Sequence, residues 1–191
     1  MKKPNIDKRT RLLDAADKLV QQQGFNQTTL ANIAQESSVP LGNVYYYYKT
    51  KDDIGYALIE HRTECIRVQL SKWDTLPEPR ERIVAAIKSV ASTREMVAQS
   101  GCPIGSICQE LNKDGGPLAD KAAGMFSAQL GWLEVQFQLL GQGKKSADHS
   151  LHLVSALQGV SLLTNTFNDP KLMLRETARL IEWVNALSAD V

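Results

Sequence analysis

Apolar residues return at intervals of three and four along most of the chain, the spacing that lays a stripe on one side of a helix. Leu12, Ala16, Leu19 and Val20 set this period between Asp7 and Gln23, and Gly24 stops it. Leu30, Ile33 and Ala34 begin a second stripe just after Thr29, a residue type that caps helices well. The run Ser37-Ser38-Val39-Pro40 breaks that helix, because proline disfavours helical geometry at the residue before it and presets the backbone ahead. A short helix is expected next, from about Leu41 to Tyr48. Asp52 and Asp53 suit the positive end of a fourth helix, with Ile54, Leu58 and Ile59 on its inner side through about Ser71. After Leu76-Pro77-Glu78-Pro79, the stripe Ile83, Ala86, Ile87 and Val90 predicts one helix reaching about Ala98. Gly101-Cys102-Pro103 opens a short helix through Leu111, since proline fits a first turn. Pro117 opens a long one bearing Leu118, Ala122, Phe126, Leu130, Leu133 and Phe137, ended by Gly141 and Gly143. The stretch from Ser146 to Phe167 is apolar on more than one side, and Asp169-Pro170 caps a last helix that ends near Leu187. With no strand-like alternation and no internal repeat, an all-α chain is expected.

The pair of helices around Ser37-Pro40 reads as a helix-turn-helix, and its second member has an unusual outer side. Val44 and Tyr48 share the inner face, which leaves Leu41, Gly42, Asn43, Tyr46 and Tyr47 pointing out. Two tyrosines and a leucine need a cover, and a DNA groove would supply one.

Charge fits that reading only locally. The 191 residues hold 22 Lys and Arg against 21 Asp and Glu, so there is no global field to attract nucleic acid. The N-terminal arm does carry Lys2, Lys3, Lys8, Arg9 and Arg11 against Asp7 alone, and Lys49 and Lys51 add to it beyond the motif. Without the motif beside it, such an arm would read as a solvated tail. Cys65, Cys102 and Cys108 lack paired spacing, which points to free thiols in a reducing cytoplasm. Neither a signal peptide nor an apolar run of membrane-spanning length is present, so a cytoplasmic protein is expected.

Thr29, Ile33-Ala34, the Gly42-Asn43-Val44-Tyr45-Tyr46-Tyr47-Tyr48 run and Lys51-Asp52-Asp53 together resemble the N-terminal motif of the TetR family of bacterial repressors. The match spans about the first 65 residues. Two positions depart from it: Ser38 stands where the family has a turn glycine, and Tyr48 where it has phenylalanine. A left-handed Ser38 would cost about 1 kcal/mol. The resemblance implies a DNA-binding head, residues 1–51, on a ligand-binding and dimerisation body, residues 52–191. It assigns Thr29 and Lys51 to phosphates, Leu41, Gly42, Asn43 and Tyr45 to the groove, and Tyr46 and Tyr47 to backbone or groove. Chemically, tyrosine hydroxyls and a lysine can donate to phosphate, while Asn43 alone offers a base both a donor and an acceptor.

The last two helices hold more apolar surface than a small body hides. Ala156, Gly159, Val160 and Leu163 on one, with Leu180, Ile181, Val184 and Leu187 on the other, can form a seam with a twofold copy or else an internal core. The resemblance favours the homodimer, reading two half-sites of a palindromic operator. It also implies a small-molecule pocket in the body, for which Met96, Cys102, Ile104, Ile107, Phe126, Leu130, Trp132, Phe137, Thr164 and Asn165 are candidates, most of them equally good core residues. Cys102, at a helix N-terminus, is placed for thiol sensing or for simple space filling. His149 and His152 lack an identifiable third ligand, so no metal is expected. Nucleophile-base pairs and phosphate-binding loops are absent, so neither catalysis nor a cofactor is expected. The expected function is a transcriptional repressor released from its operator by a small-molecule inducer; the alternative is a helical ligand- or partner-binding protein without DNA activity.

Overall fold

The computed structural model describes residues 7–188, so Lys2 and Lys3 of the basic arm lie outside the described residues. The described residues form ten α-helices and one 3-10 turn. They are α1 (Lys8–Gln23), α2 (Leu30–Ser37), α3 (Leu41–Tyr47), α4 (Lys51–Asp74), α5 (Pro79–Ser92), α6 (Arg94–Ser100), α7 (Pro103–Asp114), α8 (Pro117–Leu139), α9 (Ser146–Thr166) and α10 (Pro170–Ala186), with the 3-10 turn at Gly143–Lys145. No strand occurs among the described residues.

Most boundaries fall where the sequence puts them, and one break does not. The helix expected to run to Ala98 stops at Ser92, and α6 starts afresh after Thr93. Ser92 Oγ donates to the Ser89 carbonyl at 2.6 Å and Thr93 Oγ1 to the Val90 carbonyl at 2.9 Å. Adjacent hydroxyls thus bond carbonyls three residues back, the local competition that weakens a helix at Ser and Thr. Asp169 caps α10 as expected, its carboxylate accepting the Lys171 N–H at 3.0 Å with Pro170 in the first turn.

Two compact units divide the chain. One holds the residues through Thr63 together with Ser106–Ala123; the other holds Glu64–Gly105 and the residues from Gly124 onward. The first is built on a core of Leu12, Ala15 and Ala16 from α1, Ile33 and Ala34 from α2, Val39, Val44 and Tyr48 around α3, and Ile54 from α4. Arg62, buried on α4, adds a 2.8 Å ion pair to Asp17. In the second unit, Ile83 and Ile87 of α5 meet Leu133 and Phe137 of α8, Leu153, Val154 and Leu157 of α9, and Leu180 and Val184 of α10. Arg80 donates to the carbonyls of Val184 and Leu187, closing the C-terminal end of α10.

Candidate DNA interface and ligand cavity

Reciprocal capping fixes the start of α2. Thr29 Oγ1 accepts the Asn32 N–H at 3.1 Å, and Asn32 Oδ1 accepts the Thr29 N–H at 3.0 Å. Thr29 therefore uses its acceptor on the cap while remaining exposed. Ser38 closes α2 in the left-handed conformation, φ 54°, and Val39 follows, buried. Arg11 donates to the carbonyls of both Ser37 and Ser38. The sequence counts Arg11 with the basic arm; the fold instead turns its guanidinium onto the helix-turn-helix corner, 26 residues away in sequence.

On α3 the two faces separate sharply. Val44 is fully buried and Tyr48 nearly so, while Tyr45 is 51% and Tyr46 82% exposed. Leu41 and Gly42 are also exposed, and Asn43 partly so. Tyr47 packs against the core edge and meets Tyr46 edge-on with ring centroids 5.0 Å apart. These six outward residues form one contiguous aromatic and polar surface. The buried Tyr48 hydroxyl has no hydrogen-bond partner.

Lys51 is less free than the sequence suggests. Its ammonium donates to the Asn26 carbonyl at 2.9 Å and lies 4.6 Å from the centre of the Phe25 ring. Burial lowers its pKa below the ordinary 10.5, with Glu110 and Asp52 pulling the other way. Glu110 of α7 anchors the same turn, its carboxylate accepting the Asn26 N–H at 2.9 Å. Gly24, with φ +86°, admits that carboxylate: a Cβ there would stand 2.6 Å from Glu110 Oε1. Asp53 caps α4, accepting the N–H groups of Thr50 at 2.9 Å and Lys49 at 3.0 Å while Thr50 Oγ1 accepts the Asp53 N–H. Those bonds, Thr50's first, hold its carboxyl below the usual 3.8.

The second unit holds a cavity of about 200 Å³ between α4, α5, α6, α7, α8 and α9. Of the ten candidate pocket residues, Cys102, Ile104 and Trp132 line it. Met96, Phe126, Leu130 and Phe137 pack on or in the hydrophobic clusters instead, Thr164 is fully buried, and Asn165 donates to the Ala98 carbonyl at 3.0 Å. Ile107 belongs to the first unit. The walls the sequence missed include Gln69 and Trp73 at the end of α4, Gln129 on α8, and Gln158 and Ser161 on α9. Polar residues recurring on otherwise apolar helices were the available signal. Cys102 precedes α7, and its sulfur accepts the Gly105 N–H at 3.4 Å. His149 and His152 both pack edge-on against Trp183, with centroids 5.4 and 4.9 Å away.

The candidate seam also divides. Val160, Leu180 and Val184 are buried in the chain's own core, so they present no surface to a second copy. Their periodic spacing is that of either surface, and only packing separates the two. Ala156, Ile181 and Leu187 are partly buried against that core, whereas Gly159 and Leu163 are exposed. Leu151, Leu162 and Leu163 along α9, Phe167 just past its end and Leu174 on α10 make up the exposed apolar face.

A capped helix, a tight turn and a short helix with an open aromatic face define a helix-turn-helix DNA-binding regulator. Residues 12–57 match the family described as bacterial regulatory proteins, tetR family. Over 164 residues the chain is 26% identical to the HTH-type transcriptional regulator LmrA of Bacillus subtilis (strain 168), covering 84% of this chain and 87% of that protein. The HTH-type transcriptional repressor NemR of Escherichia coli (strain K12) is 25% identical over 143 residues, covering 73% of this chain and 70% of its own. The crystal structure of a TetR transcriptional regulator from Legionella pneumophila shares the fold with a TM-score of 0.84 at 20% identity, over 96% of this chain and 99% of that one. The head, residues 12–57, is thus of the TetR type, and over most of its length the protein is similar to transcriptional regulators.

Proposed function

We propose that the protein is a cytoplasmic, ligand-responsive repressor that binds a palindromic operator as a homodimer and leaves it when a small molecule fills the cavity. Residues 1–51 serve as the reading head, and residues 52–191 hold the ligand and the dimer contact. The observation that carries the proposal is the outer face of α3, where Tyr45 and Tyr46 stand exposed on a helix whose other side is buried. Leu41, Gly42 and Asn43 reach the groove with Tyr45, while Tyr46, Tyr47, Thr29 and Lys51 serve the phosphates. Lys51 does so from a site it shares with the Asn26 carbonyl, so DNA competes with an existing bond. The exposed leucines of α9 and Phe167 at its C-terminal cap support pairing with a second copy. In the bound state two heads must meet successive major grooves about 34 Å apart, and a ligand acts by favouring a dimer geometry that misses this spacing.

Fluorescence anisotropy with the DNA flanking the protein's own gene tests the proposal. Binding should track an inverted repeat, weaken steeply with salt, and fall on Tyr46→Ala. No rise in anisotropy with any fragment at low salt would overturn it.

A further inference from the structure

The cavity combines aromatic walls, free carboxamides and no charge. Asp, Glu, Lys, Arg and His are all missing from its lining. An ion entering it would give up water without meeting a counter-charge, which a neutral molecule avoids. Trp73 and Trp132 stand together on one side, their ring centroids 5.6 Å apart. Trp132 donates its ring N–H at 2.9 Å to Asp74, a residue outside the lining, so toward the cavity the indole has only apolar surface to offer. Gln69, Gln129 and Gln158 also line the space, and their carboxamides make no hydrogen bond among the described residues. Each has donors and an acceptor left for a ligand.

Gln158 is the most constrained of the three. A Cβ at position 105 would come within 2.5 Å of Gln158 Oε1, so the carboxamide rests in space that only a glycine leaves open. Gly105 lies in the first turn of α7, where its N–H also meets the Cys102 sulfur. Gln158 thus sits at the cavity wall across from the α7 N-terminal turn, with Cys102, Pro103 and Ile104 as its apolar surroundings.

We propose that the cavity takes an uncharged, planar aromatic molecule bearing one hydrogen-bonding group, and that Gln158, seated over Gly105, selects it. This rests on the cavity being the effector site. A volume of about 200 Å³ holds two fused aromatic rings with a small substituent.

Four probes of one shape test this by equilibrium dialysis against the full chain at neutral pH: β-naphthamide, naphthalene, β-naphthoate and β-naphthylmethylammonium. The amide should bind about tenfold tighter than naphthalene, the worth of one net hydrogen bond, and both ions more weakly than either. Gln158→Leu should erase the amide's advantage over naphthalene. Gly105→Ala should reduce it by displacing the carboxamide, and Gln158→Glu should turn the preference toward the ammonium. Binding of the carboxylate or ammonium to the parent as tightly as the amide would overturn the ligand class while leaving the cavity a ligand site. An amide advantage that survives in Gln158→Leu and Gly105→Ala would overturn the role of Gln158. Retention of none of the four probes, naphthalene included, would overturn the effector site itself.

Discussion

Two residues of the head depart from the family motif, and the structure shows a cost at each. Ser38 adopts φ 54°, a region where an L side chain crowds its own backbone. Its side chain is exposed, so removing it loses no packing. Ser38→Gly should raise stability by about 1 kcal/mol in a denaturant melt, less the extra freedom glycine gains in the unfolded chain. Tyr48 buries a hydroxyl without a partner, so Tyr48→Phe should be neutral or stabilising by about 1 kcal/mol. A loss of stability in either variant would mean that the turn or the core edge is built differently.

Asp53 links a single residue to solution pH. Its carboxyl is held below 3.8 by the amides it caps. A depressed folded pKa means that the charged form stabilises the fold above the unfolded value and that this contribution is lost as pH falls through the folded value. The melting-temperature gap between parent and Asp53→Ala should therefore be full at neutral pH and close only below the usual carboxylate range. A gap that is flat across that acid range would exclude the cap as its source.

At the scale of helices, α9 and α10 turn two faces in different directions. One holds Leu153, Leu157, Val160, Leu180 and Val184 in clusters with their neighbours; the other exposes Leu151, Leu162, Leu163, Phe167 and Leu174. Gly159 lies exposed within the outer stripe, with open space where a Cβ would stand. Two substitutions tell the faces apart. Leu162→Lys, at a site 60% exposed, should convert the proposed dimer to monomer in light scattering while the melting of the fold changes little. Val184→Asp, at a fully buried site, should instead unfold the chain, because an unpaired buried charge costs several kcal/mol. A parent that is monomeric at micromolar concentration would remove the basis for the first comparison and for the dimer.

At the scale of the whole molecule, the proposed release requires that ligand occupancy register both in the cavity and at the DNA. Cys102 provides a reporter in the cavity and Cys65, exposed on α4, provides a reference outside it. Timed alkylation should label Cys65 first, and saturating β-naphthamide should slow Cys102 while leaving Cys65 unchanged. The same concentration should lower operator affinity. Protection of Cys102 without loss of DNA affinity would separate binding from release and reduce the cavity to a passive site. Response to alkylating agents should follow Cys102 alone if the thiol has a sensing role, and Cys102→Ser would then abolish it.

Local signals along the chain suffice for the helices and the head. Apolar spacing, capping residues and proline placement are local signals, which is why Thr29, Pro40, Asp53 and Asp169 mark their boundaries and why the buried and open sides of α3 could be read from Val44 and Tyr48. Local spacing also hid the break at Thr93, since a pair of hydroxyl residues interrupts the helix without disturbing its apolar stripe. Where long side chains go, and which of two apolar faces meets its own core, depends on packing between segments distant in sequence. Arg11 reaches the turn at Ser38, Lys51 reaches Asn26, and Val184 closes inward while Leu162 stays out. The cavity belongs to the same class: its wall draws on six helices, and glutamines that periodicity passes over become its polar groups only when those helices are packed together.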